Sequence, residues 1–126
     1  MKVELSDDHI RRIVDHCRRA LPNEGCGLLA LEGDRIMEIY PTDNADESPT
    51  SYTIPPQEHY DAVMDAESKG WEIRGAFHSH PNGPPRMSAT DLERALKPGW
   101  LYLVVGLDGQ EPTIGAWQDG EIVELG

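Results

Sequence analysis

The sequence has little cysteine and no long apolar run. Its two cysteines, Cys17 and Cys26, are too few for a disulfide framework or for paired C-x-x-C metal ligands, so we expect two reduced thiols. No stretch approaches the roughly 20 apolar residues of a membrane span, and the start MKVELSDDHI lacks the basic and apolar regions of a signal peptide. The sequence therefore predicts a cytoplasmic protein, with a single domain over residues 1–126.

Positive charge is also scarce. Eleven Lys and Arg residues stand against 23 Asp and Glu residues, giving a formal net charge of −12. Sequence-independent binding to nucleic acid depends on clustered Lys and Arg, so we expect neither a nucleic acid nor a membrane partner. The acidic residues are dispersed, which favours a role in solubility, although a salty cytoplasm or a basic partner would also account for them.

The first half of the chain alternates between helical and strand-like patterns. Ser6 precedes two acids and predicts a helix N-cap, and the apolar residues that follow at helical spacing are Ile10, Ile13, Val14, Cys17 and Leu21. The segment Glu32-Gly33-Asp34 separates two apolar runs and predicts a hairpin. The polar segment Pro41–Ile54 predicts a surface loop. A second helix is predicted over Gln57–Lys69, with an apolar stripe of Tyr60, Val63 and Met64.

The second half is richer in strand patterns. A strand is predicted over Trp71–His80, and Trp100–Val105 is apolar without alternation, which is typical of a strand buried on both faces at the centre of a sheet. Two turns then predict an antiparallel meander through Thr113–Trp117 and Glu121–Leu125. The whole order predicts an α+β fold, with a mixed sheet flanked by helices.

The end of the strand predicted over Trp71–His80 and the segment after it carry four residues that suggest a metal site. His78 and His80 end the predicted strand two residues apart, so their imidazoles point to the same face. Seven residues rich in Gly and Pro then form a turn. Ser88 N-caps a helix predicted to extend to Leu96, and Asp91 falls in its first turn.

Two imidazoles and one carboxylate are the ligand set of a catalytic zinc site, in which water takes the fourth position. The same set would also accept iron or manganese. A purely structural interpretation is that His78 and His80 end a strand while Ser88 and Asp91 cap a helix. His9 and His16 are seven residues apart on one predicted helix, which is too far for them to share one ion. His59 lies on the second predicted helix without a sequence partner, and we assign none of the three a metal role.

The spacing H-S-H, seven residues, S, two residues, D resembles the H-[ST]-H-x7-S-x2-D signature of the JAMM (MPN+) zinc metalloproteases. Pro22–Leu29, PNEGCGLL, is similar to the segment in which that family carries a glutamate, here Glu24. The resemblance extends from the first helix to the last strand. It implies the MPN fold, which is cytidine-deaminase-like. It also implies that this chain is similar to the compact prokaryotic members of the family, which lack large insertions.

The resemblance also implies a chemistry and a substrate. If this chain follows that family, His78, His80 and Asp91 would bind Zn2+. Glu24 would be the general base, and Ser88 would hydrogen-bond the oxyanion. Small members are similar to peptidases that cleave after the C-terminal Gly-Gly of ubiquitin-like or sulfur-carrier proteins, releasing cysteine, a peptide extension or a conjugated lysine. From the residues alone, Glu24 would be a solvated surface acid, as most glutamates are.

Three alternatives compete with this hypothesis. A non-catalytic MPN-type scaffold or interaction module usually loses its metal ligands, whereas all of them are present here. A cysteine hydrolase would use Cys26, but a cysteine inside an apolar strand is more often a small core residue. A zinc nucleoside deaminase requires P-C-x-x-C, which this sequence lacks.

Overall fold

The computed structural model of the protein describes residues 2–94 and 97–126. The helices are α1 (Asp7–Ala20), α2 (Pro56–Ser68) and α3 (Ala89–Arg94). The strands are β1 (Lys2–Val3), β2 (Cys26–Glu32), β3 (Arg35–Thr42), β4 (Glu72–His80), β5 (Leu101–Gly106), β6 (Thr113–Gln118), β7 (Glu121–Ile122) and β8 (Glu124–Leu125). Within this described part of the chain, no helix is long and apolar enough to cross a bilayer.

Six strands form one mixed sheet in the order β3-β2-β4-β5-β6-β7. β4 and β5 are parallel and lie at its centre, while the other neighbouring pairs are antiparallel. Every residue of β5 is buried, because apolar side chains cover both of its faces. The prediction of an α+β fold with a mixed sheet is confirmed, as is the central position of the strand predicted over Trp100–Val105.

Helix α1 covers one face of the sheet. It begins where the sequence predicts, because the Ser6 hydroxyl oxygen accepts a hydrogen bond from the backbone N–H of His9 at 3.1 Å. Ile13 and Cys17 are fully buried in the core beneath it. Leu21 departs from the prediction, since it lies beyond the helix end and is exposed.

Helix α2 packs against the opposite face of the sheet, but the side of the helix that it buries is not the predicted one. Tyr60 and Met64 are 56% and 51% exposed, and the buried residues are Ala62 and Ala66. Two alanines four residues apart lie on one side of a helix and allow its backbone close to the sheet. The large apolar residues of the predicted stripe therefore point outwards, with only Val63 partly buried against the core.

The C-terminal strand prediction is wrong in one respect. Glu121–Leu125 does not form one strand: β7 pairs with β6, whereas β8 pairs in parallel with β1 in a separate two-stranded sheet. Between them Val123 is buried and its backbone N–H donates to the Ala116 carbonyl, so burial of this residue turns the chain away from the main sheet. The predicted third helix extends to Leu96, but Ala95 and Leu96 lie outside the described residues.

Candidate metal centre

The end of the central strand β4 carries two histidines on one face. His78 lies opposite Val104 and His80 opposite Gly106 in the register with β5, and residues two apart on a strand share a face. That face is the one covered by α2, since Ala76, two residues earlier, belongs to the same apolar cluster as Ala62. The two imidazole Nε2 atoms are 3.2 Å apart.

The start of α3 brings a carboxylate to these rings. The Ser88 hydroxyl oxygen accepts the Asp91 N–H at 3.1 Å, and Asp91 Oδ2 accepts the Ser88 N–H at 2.9 Å. This reciprocal cap fixes the Asp91 side chain. Its Oδ2 then lies 3.1 Å from His78 Nε2 and 2.9 Å from His80 Nε2. The structure therefore joins the two histidines and the aspartate that the sequence predicts to share a metal.

The state of the His80 ring follows from its other nitrogen. His80 Nδ1 lies 3.0 Å from the Pro84 carbonyl oxygen. A carbonyl only accepts, so Nδ1 carries the proton and the neutral ring presents a lone pair at Nε2. Three such donor atoms converge at separations of 2.9 to 3.2 Å. Zinc bonds of 2.0–2.1 Å in tetrahedral geometry place ligand atoms about 3.3 Å apart, so the group fits a zinc ion.

The charges of the three groups also suit a divalent cation. Burial lowers the pKa of His78, which favours its neutral form. Burial alone would raise the pKa of Asp91, but hydrogen bonds with the two imidazoles outweigh it and hold that pKa well below its usual range. The hydrogen bond to Asp91 raises the pKa of His80. A raised pKa favours a second proton on the His80 ring, at Nε2. A metal would compete with that proton, because a ligand atom must be deprotonated to bind a metal.

Glu24 lies just before β2 and is only 3% exposed, so the interpretation as a solvated surface acid is wrong. Its backbone is held on both sides: its N–H donates to the Ser48 carbonyl at 2.8 Å, and its carbonyl accepts from the Asn44 side-chain amide at 3.1 Å. Glu24 lines a cleft of about 370 Å³ together with His80 and Ser88. The structure therefore brings all five predicted site residues to one region.

Ser79 is a site residue that sequence reasoning missed. It lies between the two histidines but on the opposite face of β4, fully buried. Its hydroxyl oxygen accepts the Gly25 N–H at 2.8 Å, and its own N–H donates to the Gly25 carbonyl at 3.0 Å. These bonds tie the residue after Glu24 to the histidine strand. The signal was a polar residue in an apolar strand, since such residues need a hydrogen-bonding partner when buried.

The sequence predicts a polar surface loop over Pro41–Ile54, but Pro41 and Thr42 belong to β3, so the loop between β3 and α2 spans residues 43–55. Asn44 closes this loop on itself: its amide nitrogen donates to the carbonyls of Glu24 and Ser51 at 3.1 and 2.9 Å, and its Oδ1 accepts from the N–H groups of Asp46 and Thr53. From the same loop, Tyr52 stacks on the His78 ring with centroids 4.6 Å apart. The loop is thus a wall of the site.

Cys26 has the properties of a core residue. It is fully buried, and its sulfur lies 3.4 Å from the Thr42 hydroxyl and 3.3 Å from the Asp43 carbonyl. Burial raises the pKa of the Cys26 thiol to about 11, which leaves almost no thiolate at neutral pH. Because the thiolate is the nucleophilic form, this environment disfavours a cysteine hydrolase. The prediction of two reduced thiols is confirmed.

Comparison with known proteins identifies relatives along the whole chain. A family model described as prokaryotic homologues of the JAB domain matches residues 6–119. A desampylase of Haloferax volcanii is 34% identical over 131 residues, covering 98% of this chain and 94% of the relative. A probable TtuB-protein conjugate cleaving protease of Thermus thermophilus is 36% identical over 98 residues, covering 75% and 63%. The CysO-cysteine peptidase of Mycobacterium tuberculosis is 36% identical over 103 residues, covering 78% and 68%.

Solved structures share the architecture. The solution structure of a protein from Desulfitobacterium hafniense is 36% identical and superposes with a TM-score of 0.86, covering 99% of this chain and 91% of that one. A structure described as JAMM, a metalloprotease-like zinc site in the proteasome and signalosome, is 20% identical with a TM-score of 0.62, covering 100% and 97%. At that identity the second likeness concerns the fold alone.

Proposed function

The chain belongs to the family of prokaryotic homologues of the JAB domain, the compact prokaryotic JAMM (MPN+) members, and we propose that it is a zinc-dependent peptidase or isopeptidase that cleaves after the C-terminal Gly-Gly of ubiquitin-like or sulfur-carrier proteins. It is a hydrolase, as its named relatives are. The observation that carries the proposal is the convergence of two imidazoles and one carboxylate, at 2.9 to 3.2 Å, beside a cleft that Glu24 and Ser88 also line.

His78, His80 and Asp91 would hold the metal. A zinc ion bound there supplies Lewis-acid chemistry, activating water near neutral pH and polarising a carbonyl. The protein's own contribution to this site is orientation. The Pro84 carbonyl fixes the tautomer of His80, and the Ser88 N–H fixes Asp91. Such outer contacts commonly set the affinity of a metal site.

Glu24 would be the general base. Its buried position and its doubly hydrogen-bonded backbone hold the carboxylate in place at the cleft, as proton transfer in a transition state requires. It would accept a proton from the attacking water and deliver it to the departing amine. No residue of the histidine strand is needed for that transfer, so the ligand rings stay in one protonation state.

Ser88 would stabilise the oxyanion of the tetrahedral intermediate. Its hydroxyl oxygen already accepts the Asp91 N–H, which leaves the hydroxyl proton available for donation, because a serine hydroxyl has one donor in addition to its acceptor sites. Ser88 is exposed at the cleft. Donors of this kind act by stabilising charge that develops only in the transition state.

The cleft suits a substrate segment without side chains. Apart from Glu24, His80 and Ser88, its lining consists of uncharged residues, which are Pro49, Thr50, Pro81, Asn82 and Gly83. A Gly-Gly tail presents mainly backbone groups to such a surface. The names of two relatives concern protein conjugates of TtuB and a cysteine adduct of CysO. For this chain we infer two kinds of cleavable bond, an isopeptide bond to lysine and a peptide bond to cysteine or to a short extension.

The test is intact-mass analysis of a ubiquitin-like sulfur carrier in three forms: with a peptide extension after Gly-Gly, with a C-terminal cysteine after Gly-Gly, and conjugated to a lysine side chain. Each form is incubated with the zinc-loaded protein, with and without a chelator. We expect chelator-sensitive release of the carrier ending in Gly-Gly from at least one form. Cleavage elsewhere in the carrier, or no cleavage of any form by protein with bound zinc, would overturn the proposed substrate.

A further inference from the structure

The seven-residue turn after His80 packs its backbone directly on two strands of the sheet. Those strands carry glycines at the contact: Gly106 ends β5 and Gly115 lies within β6. The register places Gly106 beside His80 and Gly115 beside Val104. Both glycines therefore lie on the same face of the sheet as the metal-site histidines, diagonally adjacent to one another.

These glycines leave a space that the turn fills. A Cβ atom on Gly106 would lie 2.8 Å from the Pro85 nitrogen, and a Cβ atom on Gly115 would overlap the Pro85 carbonyl oxygen. Both contacts are with backbone, which cannot move aside as a flexible side chain can. Any residue larger than glycine at either position must therefore displace Pro85.

Displacement of Pro85 reaches the metal site through one peptide unit. The carbonyl of Pro84, which accepts the Nδ1 proton of His80 at 3.0 Å, is bonded to the nitrogen of Pro85. The backbone of His80 is held by the sheet as well as by the turn, because its carbonyl accepts the Leu107 N–H at 3.2 Å in addition to the Gly83 N–H at 3.4 Å. A shift of the turn would thus move the acceptor while the histidine backbone stays in the sheet.

We propose that Gly106 and Gly115 are positioning residues for the metal ligand His80: their bare sheet surface seats Pro84 and Pro85 so that the Pro84 carbonyl fixes the ring of His80 with Nε2 toward the metal. The inference rests on the metal site of the proposed function and is independent of the substrate. Loss of an outer contact to a ligating histidine typically lowers metal affinity about 10- to 100-fold, and we expect an effect of that size.

The test is a zinc-affinity titration against a chromophoric chelator for the parent protein and three variants, Gly115→Ala, Gly106→Ala and Gly109→Ala. The last is the matched control, since a Cβ on Gly109 meets only the Glu111 carbonyl, at an ordinary 3.6 Å. We expect weaker zinc binding by Gly115→Ala and Gly106→Ala, on the order of 10- to 100-fold, and unchanged binding by Gly109→Ala.

Two further readouts separate positioning from folding. Gly106→Ala makes the milder contact and serves if Gly115→Ala does not fold. The melting temperature of the metal-free variants reports the stability of the sheet, and nitrogen-15 NMR of the His80 ring reports whether Nδ1 keeps its proton. The inference predicts an altered His80 signal in Gly106→Ala and in Gly115→Ala, whichever of them folds, and an unaltered signal in Gly109→Ala. An unaltered ring signal with unchanged zinc affinity would overturn it, whereas failure of the parent protein to bind zinc would instead overturn the proposed function.

Discussion

The chemistry of this site depends on where single protons are held. The Nδ1 proton of His80 is directed to the Pro84 carbonyl, so the opposite nitrogen, Nε2, is free of that proton and could bind a metal. The Ser88 hydroxyl accepts from the backbone and retains its own proton for donation. The thiol of Cys26 keeps its proton because the residue is buried.

Replacing Glu24 by glutamine should remove the base without removing the metal. The substitution conserves shape and the backbone bonds to Ser48 and Asn44, so zinc affinity should stay within about twofold while turnover falls by roughly 10²- to 10⁴-fold. Steady-state kinetics with a metal assay on the same samples checks this. Glu67→Gln, at an exposed position near the end of α2, is the control. Near-normal turnover by the Glu24 variant would exclude the glutamate as base.

The two thiols should be inert in the native protein. Burial raises the pKa of Cys26 to about 11 and that of Cys17 to about 12. Because a raised pKa keeps the thiol protonated, the thiolate fraction at pH 8 is about 0.1% or less, and it rises only as the pH approaches 11. Iodoacetamide at pH 8 should leave the intact mass and the activity unchanged. Rapid modification of Cys26 with parallel loss of activity would instead support a cysteine hydrolase.

At the scale of elements, the sequence was sufficient to predict a helix or strand wherever residues within that element determine its position. The Ser6 cap and the apolar spacing define α1, and the two strand-end histidines are fixed by the period of the strand. The predictions were wrong where residues elsewhere in the chain, which pack against an element, determine which side of it is buried or which strand it pairs with. Ala62 and Ala66 face the sheet because close approach matters more than side-chain size, and Val123 leaves the main sheet for the core.

The loop over residues 43–55 should depend on Asn44. Asn44→Ala removes an amide that donates to the carbonyls of Glu24 and Ser51, and because both bonds are only partly buried, each lost bond should cost about 0.5–1.5 kcal/mol. We expect a lower melting temperature and at least a tenfold lower turnover, with zinc affinity preserved because the ligands lie on β4 and α3. Ser51→Ala, which removes only an exposed bond to Asp46, is the matched control. Equal effects of both variants would contradict this role.

At the scale of the whole molecule, the site forms where the central parallel strand ends and the following helix begins. The proximity of His78, His80, Ser88 and Asp91 was predictable, because the strand, turn and helix that carry them follow one another in the chain. The supporting contacts were not predictable. Ser79 meets Gly25 across 54 residues, and no local pattern encodes a pairing that only the folded sheet creates.

Zinc should stabilise the folded protein. An ion that binds only the folded state adds about 2.7 kcal/mol at 100 times its dissociation constant, so the melting temperature should rise on adding zinc to metal-free protein. His80→Ala should abolish the rise, and His59→Ala, on α2 and beside Trp100 rather than at the site, should retain it. A rise in the His80 variant equal to that of the parent would mean that zinc binds elsewhere.

The most direct test of the account is the rate of carrier cleavage measured as zinc is added back stepwise to metal-free protein. The arrangement of His78, His80 and Asp91 as one ligand set predicts no cleavage without metal, a linear rise, and a plateau at one zinc per chain. Full cleavage by the metal-free protein, or no cleavage once that zinc is bound, would contradict the assignment of a catalytic metal to this site.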